Sequence, residues 1–160
     1  MTKMIKGIDK AVNGFLTWVV VLMLAVMSVV VFGQVVFRLV HAIIPWSEEL
    51  SKYMLIWTTF LGSALCVRKG SLVGLEILFM MLPKKAVKAV MLLVQAATAA
   101  FMVFLIVMGY KTAGLVWNQT TPVLKMPMGL MYASIPTGAV FMLINTIIVV
   151  YYQITGEDVK

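Results

Sequence analysis

Between Phe15 and Phe37 the chain carries no Asp, Glu, Lys, Arg or His. A spanning helix needs about 20 mostly apolar residues to cross a hydrocarbon core of roughly 30 Å, and this run is long enough. Three further runs follow. Leu50 to Val67 holds only Lys52, near its start; Ala86 to Tyr110 holds only Lys88, in its first turn; Gly129 to Ile154 holds no charge. Backbone polar groups inside lipid must be satisfied within the segment, so these runs are helices rather than open strands. The alternation over about ten residues that marks a membrane barrel is absent. Composition agrees: 62% of the 160 residues are hydrophobic and 12% charged, with a mean hydropathy of +1.04. Soluble domains run at about 45–50% apolar and about 25% charged. A water-soluble fold is therefore excluded, and so is disorder. Residues 1–160 read as a single all-α integral membrane domain, with four transmembrane helices at about 15–37, 50–67, 86–110 and 129–154.

Lys3, Lys6 and Lys10 precede the first run, as in a signal peptide. The run is too long for an h-region and no Ala-x-Ala site follows, so it reads as an uncleaved first span. Met4, Ile5, Ile8 and Val12 fall near one helical face, which predicts an interfacial lead-in to that span. Lys and Arg in the connections set the orientation. The tail, the second connection and the C-terminus hold nine of them: Lys3, Lys6, Lys10, Arg68, Lys69, Lys84, Lys85, Lys88 and Lys160. The opposite side holds four: Arg38, Lys52, Lys111 and Lys125. Both termini are expected in the cytoplasm.

Ser71 to Leu82 is apolar but spans only about 18 Å as a helix. Arg68 and Lys69 precede it, and Lys84 and Lys85 follow Pro83. A short apolar segment with basic flanks is expected to lie as a helix on the cytoplasmic interface, its cations at anionic head groups. Those four residues are the expected membrane-surface contacts, and a bound phospholipid is compatible with them. A connector covered by other helices is the alternative.

The net charge of +7 is spread between apolar blocks rather than gathered in a patch, which excludes nucleic acid as a partner. Cys66 and His41 are each the sole residue of their type, so neither a disulfide framework nor a His/Cys metal site is expected. No Ser/His/Asp set and no phosphate-binding glycine motif occurs, so the chain is read as no enzyme and as needing no cofactor. The centres of the spans hold no ionisable residue, and such residues usually mark ion pathways. A self-sufficient proton-coupled carrier is therefore not expected. Pro136-Thr137-Gly138 is read as a proline kink in the fourth span.

Gln34, Gln95 and Asn145 are the costly polar residues to turn toward lipid, so each is expected to face a helix of this chain or of a partner. Thr58, Gly62 and Cys66 make a small-residue stripe, suited either to packing within the chain or to a seam between subunits. The densest polar cluster lies around the first connection: Arg38, then Pro45-Trp46-Ser47-Glu48-Glu49-Leu50. Ser47 is expected to cap the second span, with both glutamates in its first turn and Trp46 at the membrane boundary. Glu48 and Lys52 have the spacing of a same-face ion pair. Adjacent glutamates point about 100° apart on a helix, so only one can serve Arg38 or a partner's cation.

Three stretches carry a family resemblance. They are Arg38 with Trp46-Ser47-Glu48-Glu49-Leu50, Trp57, Phe60-Leu61-Gly62-Ser63-Ala64 and Val67-Arg68-Lys69-Gly70; Leu82-Pro83; and Thr121 to Pro127 with Tyr132 and Ile135-Pro136-Thr137-Gly138. Together they resemble the small membrane subunit, DctQ-like, of the tripartite ATP-independent periplasmic (TRAP) transporters. The chain departs from that pattern after Gly70, where Leu72, Gly74 and Glu76 stand in place of a His, a basic residue and an Asp. The resemblance implies a scaffold for a large multi-span subunit, which holds the substrate and sodium sites, and help in docking a periplasmic substrate-binding protein. It implies sodium-driven import of an organic acid of C4-dicarboxylate or sialic acid type. Expected partner-interface residues are Arg38, Trp46, Glu48, Glu49, Gly62, Gln95, Pro136 and Asn145. The rival readings are a four-helix multidrug exporter, which would need an acidic residue in Phe15–Phe37, and a membrane assembly protein without transport.

Overall fold

A computed structural model of the chain describes residues 2–41, 44–69 and 84–155; within its helices the side chains of residues 2–6, 8, 69, 84–89, 92 and 153–155 are not described. Among the described residues the protein is helical, with no strand. We label the helices α1 (Thr2–Leu39), α2 (Pro45–Lys69), α3 (Lys84–Leu115), α4 (Met128–Tyr132) and α5 (Ser134–Thr155). Four stretches are long and apolar enough to cross a membrane: Asp9–Leu39, Pro45–Arg68, Leu93–Leu115 and Met128–Tyr152. The all-α, four-helix membrane architecture is thus present. The expected interfacial segment Ser71–Leu82 lies outside the described residues.

The helices stand in a row rather than in a closed bundle. α1 packs on α2, α2 on α5, and α5 on α3, while α3 makes no substantial contact with α1 or α2 among the described residues. A row leaves most apolar surface facing outward. Accordingly the fourth span is 44% buried and the first only 11%. The core is small: Leu16 and Val20 of α1, Leu61 and Ala64 of α2, Met102 of α3, and Ala139 and Met142 of α5.

Two glycines let α5 sit between its neighbours. A Cβ on Gly138 would fall 2.6 Å from Phe60 Cβ on α2, and one on Gly109 of α3 would fall 2.8 Å from Pro136 Cδ. Small residues permit such close backbone approach between membrane helices.

α1 runs unbroken from Thr2, and Asp9 is buried within it. Val12 packs against the core. The fourth run is interrupted at Ala133, before Pro136. Ala133 keeps right-handed helical angles, φ −64° and ψ −19°, and Met128–Tyr152 is one span, so the break lies one turn before Pro136, where a proline kink is expected. One sequence expectation needs correction: α2 opens at Pro45, so Ser47 is already helical. Its hydroxyl donates to the Ile44 carbonyl at 2.7 Å instead of accepting as a cap.

Candidate functional site

The polar side chains gather at the two ends of the row. At the end carrying the α1–α2 turn, one face of α2 grips the segment between α3 and α5. Glu49, Tyr53 and Trp57 recur every four residues, so they share that face. The Glu49 carboxylate accepts the backbone N–H groups of Val123 and Leu124, at 3.0 and 2.8 Å. The Tyr53 hydroxyl donates to the Pro127 carbonyl at 3.1 Å, and Trp57 Nε1 donates to the Leu130 carbonyl at 3.2 Å. The segment also closes on itself. Thr121 N–H donates to the Met126 carbonyl, Met126 N–H donates to Thr121 Oγ1, and Met128 N–H donates to the Gln119 carbonyl. Lys125 completes this turn in the left-handed region, with φ 52°. A loop with six of its backbone N–H groups answered, those of Gln119, Thr121, Val123, Leu124, Met126 and Met128, is held as a shaped platform. It exposes Val123, Lys125 and the adjoining Trp117.

The two adjacent glutamates diverge as their 100° separation requires. Glu48 pairs with Lys52 at 2.7 Å, with both side chains exposed. Glu49 turns to the loop and not to Arg38. Arg38, in the last turn of α1, is exposed, as is Trp46. Both acids at this end are thus used within the chain.

The opposite end holds a polar knot joining three helices. Arg68 of α2 meets Asp9 of α1 through two bonds, Nε to Oδ1 at 2.6 Å and Nη2 to Oδ2. The side chains are 13% and 8% exposed respectively, so the pair is nearly dry. Arg68 also lies 5.9 Å above the ring of buried Tyr152 on α5. One helical turn on from Asp9, Asn13 and Asn145 exchange amide bonds in both directions, each 3.0 Å. Asn13 also donates to Asp9 Oδ1 at 2.8 Å, and Asn145 donates to the Ala64 carbonyl at 2.7 Å.

Arg68 therefore points into the protein, where Asp9 answers its charge. Lys69, Lys84 and Lys85 have side chains outside the described set. Asn145 is fully buried and meets two helices of its own chain. Gln95 is half-buried beside a hollow between α3 and α5, lined also by Ala96, Ala99, Thr146 and Ile147. Pro136 is buried against Gly109. Gly62 has nothing within 4 Å of a Cβ position and Cys66 is exposed, so these two make no close approach inside the chain, whereas the Thr58 hydroxyl is buried without a hydrogen-bond partner among the described residues. Asp9, Asn13 and Tyr53 were missed by sequence reasoning. The available signal was spacing: Asp9, Asn13, Leu16 and Val20 fall on one helical face.

The comparisons with known proteins agree on one family. The family model for the DctQ component of tripartite ATP-independent periplasmic transporters matches residues 27–156. A TRAP transporter small permease protein of Haemophilus influenzae is 28% identical over 160 residues, covering 96% of this chain and 99% of that protein. The C4-dicarboxylate TRAP transporter small permease protein DctQ of Rhodobacter capsulatus is 30% identical over 115 residues, covering 70% of this chain and 51% of that protein.

Proposed function

Since the chain belongs to the DctQ family of TRAP transporter small permease subunits, a transporter component and not an enzyme, we propose that it is the scaffold on which a larger membrane subunit carries out transport. In this reading the large subunit binds the substrate and sodium, and a periplasmic binding protein delivers an organic acid to the pair. The name of the Rhodobacter relative favours a C4-dicarboxylate; sialic acid is the alternative. The observation that carries the scaffold reading is that no span has an ionisable residue at its centre, so this chain offers no ion relay of its own.

Both termini lie in the cytoplasm of a bacterial inner membrane on this proposal, supported by the nine-to-four basic count. The platform of residues 119–128 then faces the periplasm, where it is available to a soluble partner. Arg38, Trp46, Glu48, Gly62 and Gln95 are the candidates for contact with the large subunit. Asn145, Pro136 and Glu49 contribute by shaping this chain.

The test is reconstitution with a sodium gradient, binding protein and substrate. Liposomes holding both membrane subunits should take up substrate, and those holding this chain alone should match empty ones. Uptake by this chain alone would overturn the scaffold reading. Thiol labelling of Thr120→Cys in a Cys66→Ser background tests the topology. Intact spheroplasts should label; labelling only after lysis rejects it.

A further inference from the structure

We propose that the seam between α3 and α5 is a phospholipid site, with one acyl chain lying along a groove and the phosphate held at Lys111. The inference does not depend on the transport reading, because it needs only that these two helices cross a bilayer.

Three observations carry it. First, the seam is hollowed on one side. A hollow of about 280 Å³ is lined by Ile106, Tyr110, Pro136, Thr137, Val140 and Phe141. A second, of about 250 Å³, lies further along at Ala99 and Ile147. Ala99, Ile106 and Tyr110 share one face of α3, and Pro136, Val140 and Ile147 share one face of α5, so both hollows open on the same side. From Tyr110 to Ala99 the groove runs about 17 Å, roughly one leaflet of a 30 Å core.

Second, the groove suits hydrocarbon and not water or a helix. The hydroxyls of Thr137 and Thr146 already donate to carbonyls one turn back, at 2.7 and 2.9 Å. A held water needs about two to four polar partners, which these walls do not offer. An apolar cavity of about 150 Å³ takes a benzene-sized guest, so each hollow has room for several methylenes. A Cβ on Gly109 would meet Pro136 Cδ at 2.8 Å, so the two helices pack closely. The slot between them admits a single chain rather than a helix about 10 Å across.

Third, a cation stands at the outer mouth. Tyr110 is largely exposed there, and Lys111 follows it, also exposed and without an ion pair among the described residues. Its flexible stem can carry the ammonium to the mouth while lying on apolar surface. The acids described at this end, Glu48 and Glu49, are answered by Lys52 and by the loop. Lys111 therefore suits an outside anion, and a phosphate ester joined to an acyl chain supplies both the anion and the hydrocarbon.

Photolabelling tests this, with the purified full chain in nanodiscs of phosphatidylethanolamine. A trace of the same lipid carries a diazirine in one acyl chain, and peptide mass spectrometry reads where it attaches. Ile106 and Ile147 should carry several-fold more label than Phe101 and Phe104, which are exposed on another face of the same turns of α3. Ala99→Phe fills the groove and should abolish that excess. Ala97→Phe makes the same change at an exposed position outside the groove and should keep it. Lys111→Gln should cut the excess about fivefold, and should leave labelling by a diacylglycerol with the same diazirine unchanged. It also serves as the test if Ala99→Phe fails to fold. Equal label on both faces of α3 would mean an ordinary lipid shell, and would overturn the site. An excess indifferent to Lys111→Gln would remove the phosphate from it, and with it the phospholipid. Loss of the excess on adding a larger membrane subunit would make the groove a seam between subunits, and would overturn the proposal equally.

Discussion

The two ends of the row are both rich in hydrogen bonds, but they are built from different partners. At the knot, side chains bind side chains: Asp9 to Arg68, and Asn13 to Asn145. At the loop end, side chains of α2 bind backbone: Glu49 to two N–H groups, Tyr53 and Trp57 to two carbonyls. A side-chain pair depends on both residues, so either substitution breaks it. A backbone group is present whatever the loop sequence. The loop end can therefore vary along residues 119–128, Thr121 and Lys125 excepted, while keeping its shape, provided α2 keeps its three grips. The knot has no such freedom. The same contrast separates their uses: one end fixes the helices of this chain, and the other presents a surface.

The sharpest way to break the comparison is to neutralise one member of the buried pair. Asp9→Asn leaves Arg68 nearly dry and without its counter-charge, which costs about 3–5 kcal/mol. Arg68→Gln should cost a similar amount. Thermal unfolding in detergent, followed by tryptophan fluorescence, should show both as large drops in midpoint. The double variant should recover much of the loss, since a neutral pair strands no charge. Two silent single variants would mean that water reaches the pair and that the ends do not differ.

Next comes the amide pair. Asn145→Leu removes three bonds at once and leaves the Ala64 carbonyl without this donor. The expected cost is about 1–3 kcal/mol. Asn13→Leu combined with Asn145→Leu should cost less than the two single changes together, because they break the same bonds. Strict additivity would place the two residues in separate environments.

At the loop end the effect should be local. Glu49→Ala removes the acceptor shared by Val123 and Leu124, so hydrogen exchange at those two amides should rise while the helices stay protected. Glu48→Ala removes only an exposed pair with Lys52 and should leave the loop unchanged. Equal behaviour of the two variants would mean that the loop holds its shape through Tyr53, Trp57 and its own internal bonds.

The sequence revealed these features unevenly, and for physical reasons. The four apolar runs were legible because a long uncharged stretch in lipid has few solutions. Asn145 was legible in kind, since an amide within an uncharged run must find a partner, but which partner was not. Asn13 lies 132 residues away, and nothing local marks the pairing. Asp9 was hidden more deeply. It stands outside the first uncharged run, beside Lys10, and reads as solvated. Its partner is 59 residues on, at the end of another helix. The divergence of Glu48 and Glu49 was legible from helical geometry, but a backbone target is invisible in any motif. Ser47 misled because Ser-Glu-Glu suits a cap, while Pro45 had already opened the helix.

The smallest expected effect sharpens the comparison from the backbone side. Lys125 and His41 have positive φ, 52° and 61°, and both lie at the loop end. For an L-residue with a Cβ, the left-handed region costs roughly 1–2 kcal/mol. Glycine avoids that cost but gives up about 0.5–1 kcal/mol through its freer unfolded chain. The two effects partly cancel, so Lys125→Gly should stabilise by about 0–1.5 kcal/mol. Lys125→Val should destabilise by more, because a β-branched side chain fits this region worst. The informative quantity is the difference between the two variants, read as a shift in unfolding midpoint. A clear gap, with Glu49 intact, would show that the grips of α2 force the turn into its shape against a local preference. If the two variants unfold together, the turn relaxes freely, and the loop is a passive connector that α2 merely touches.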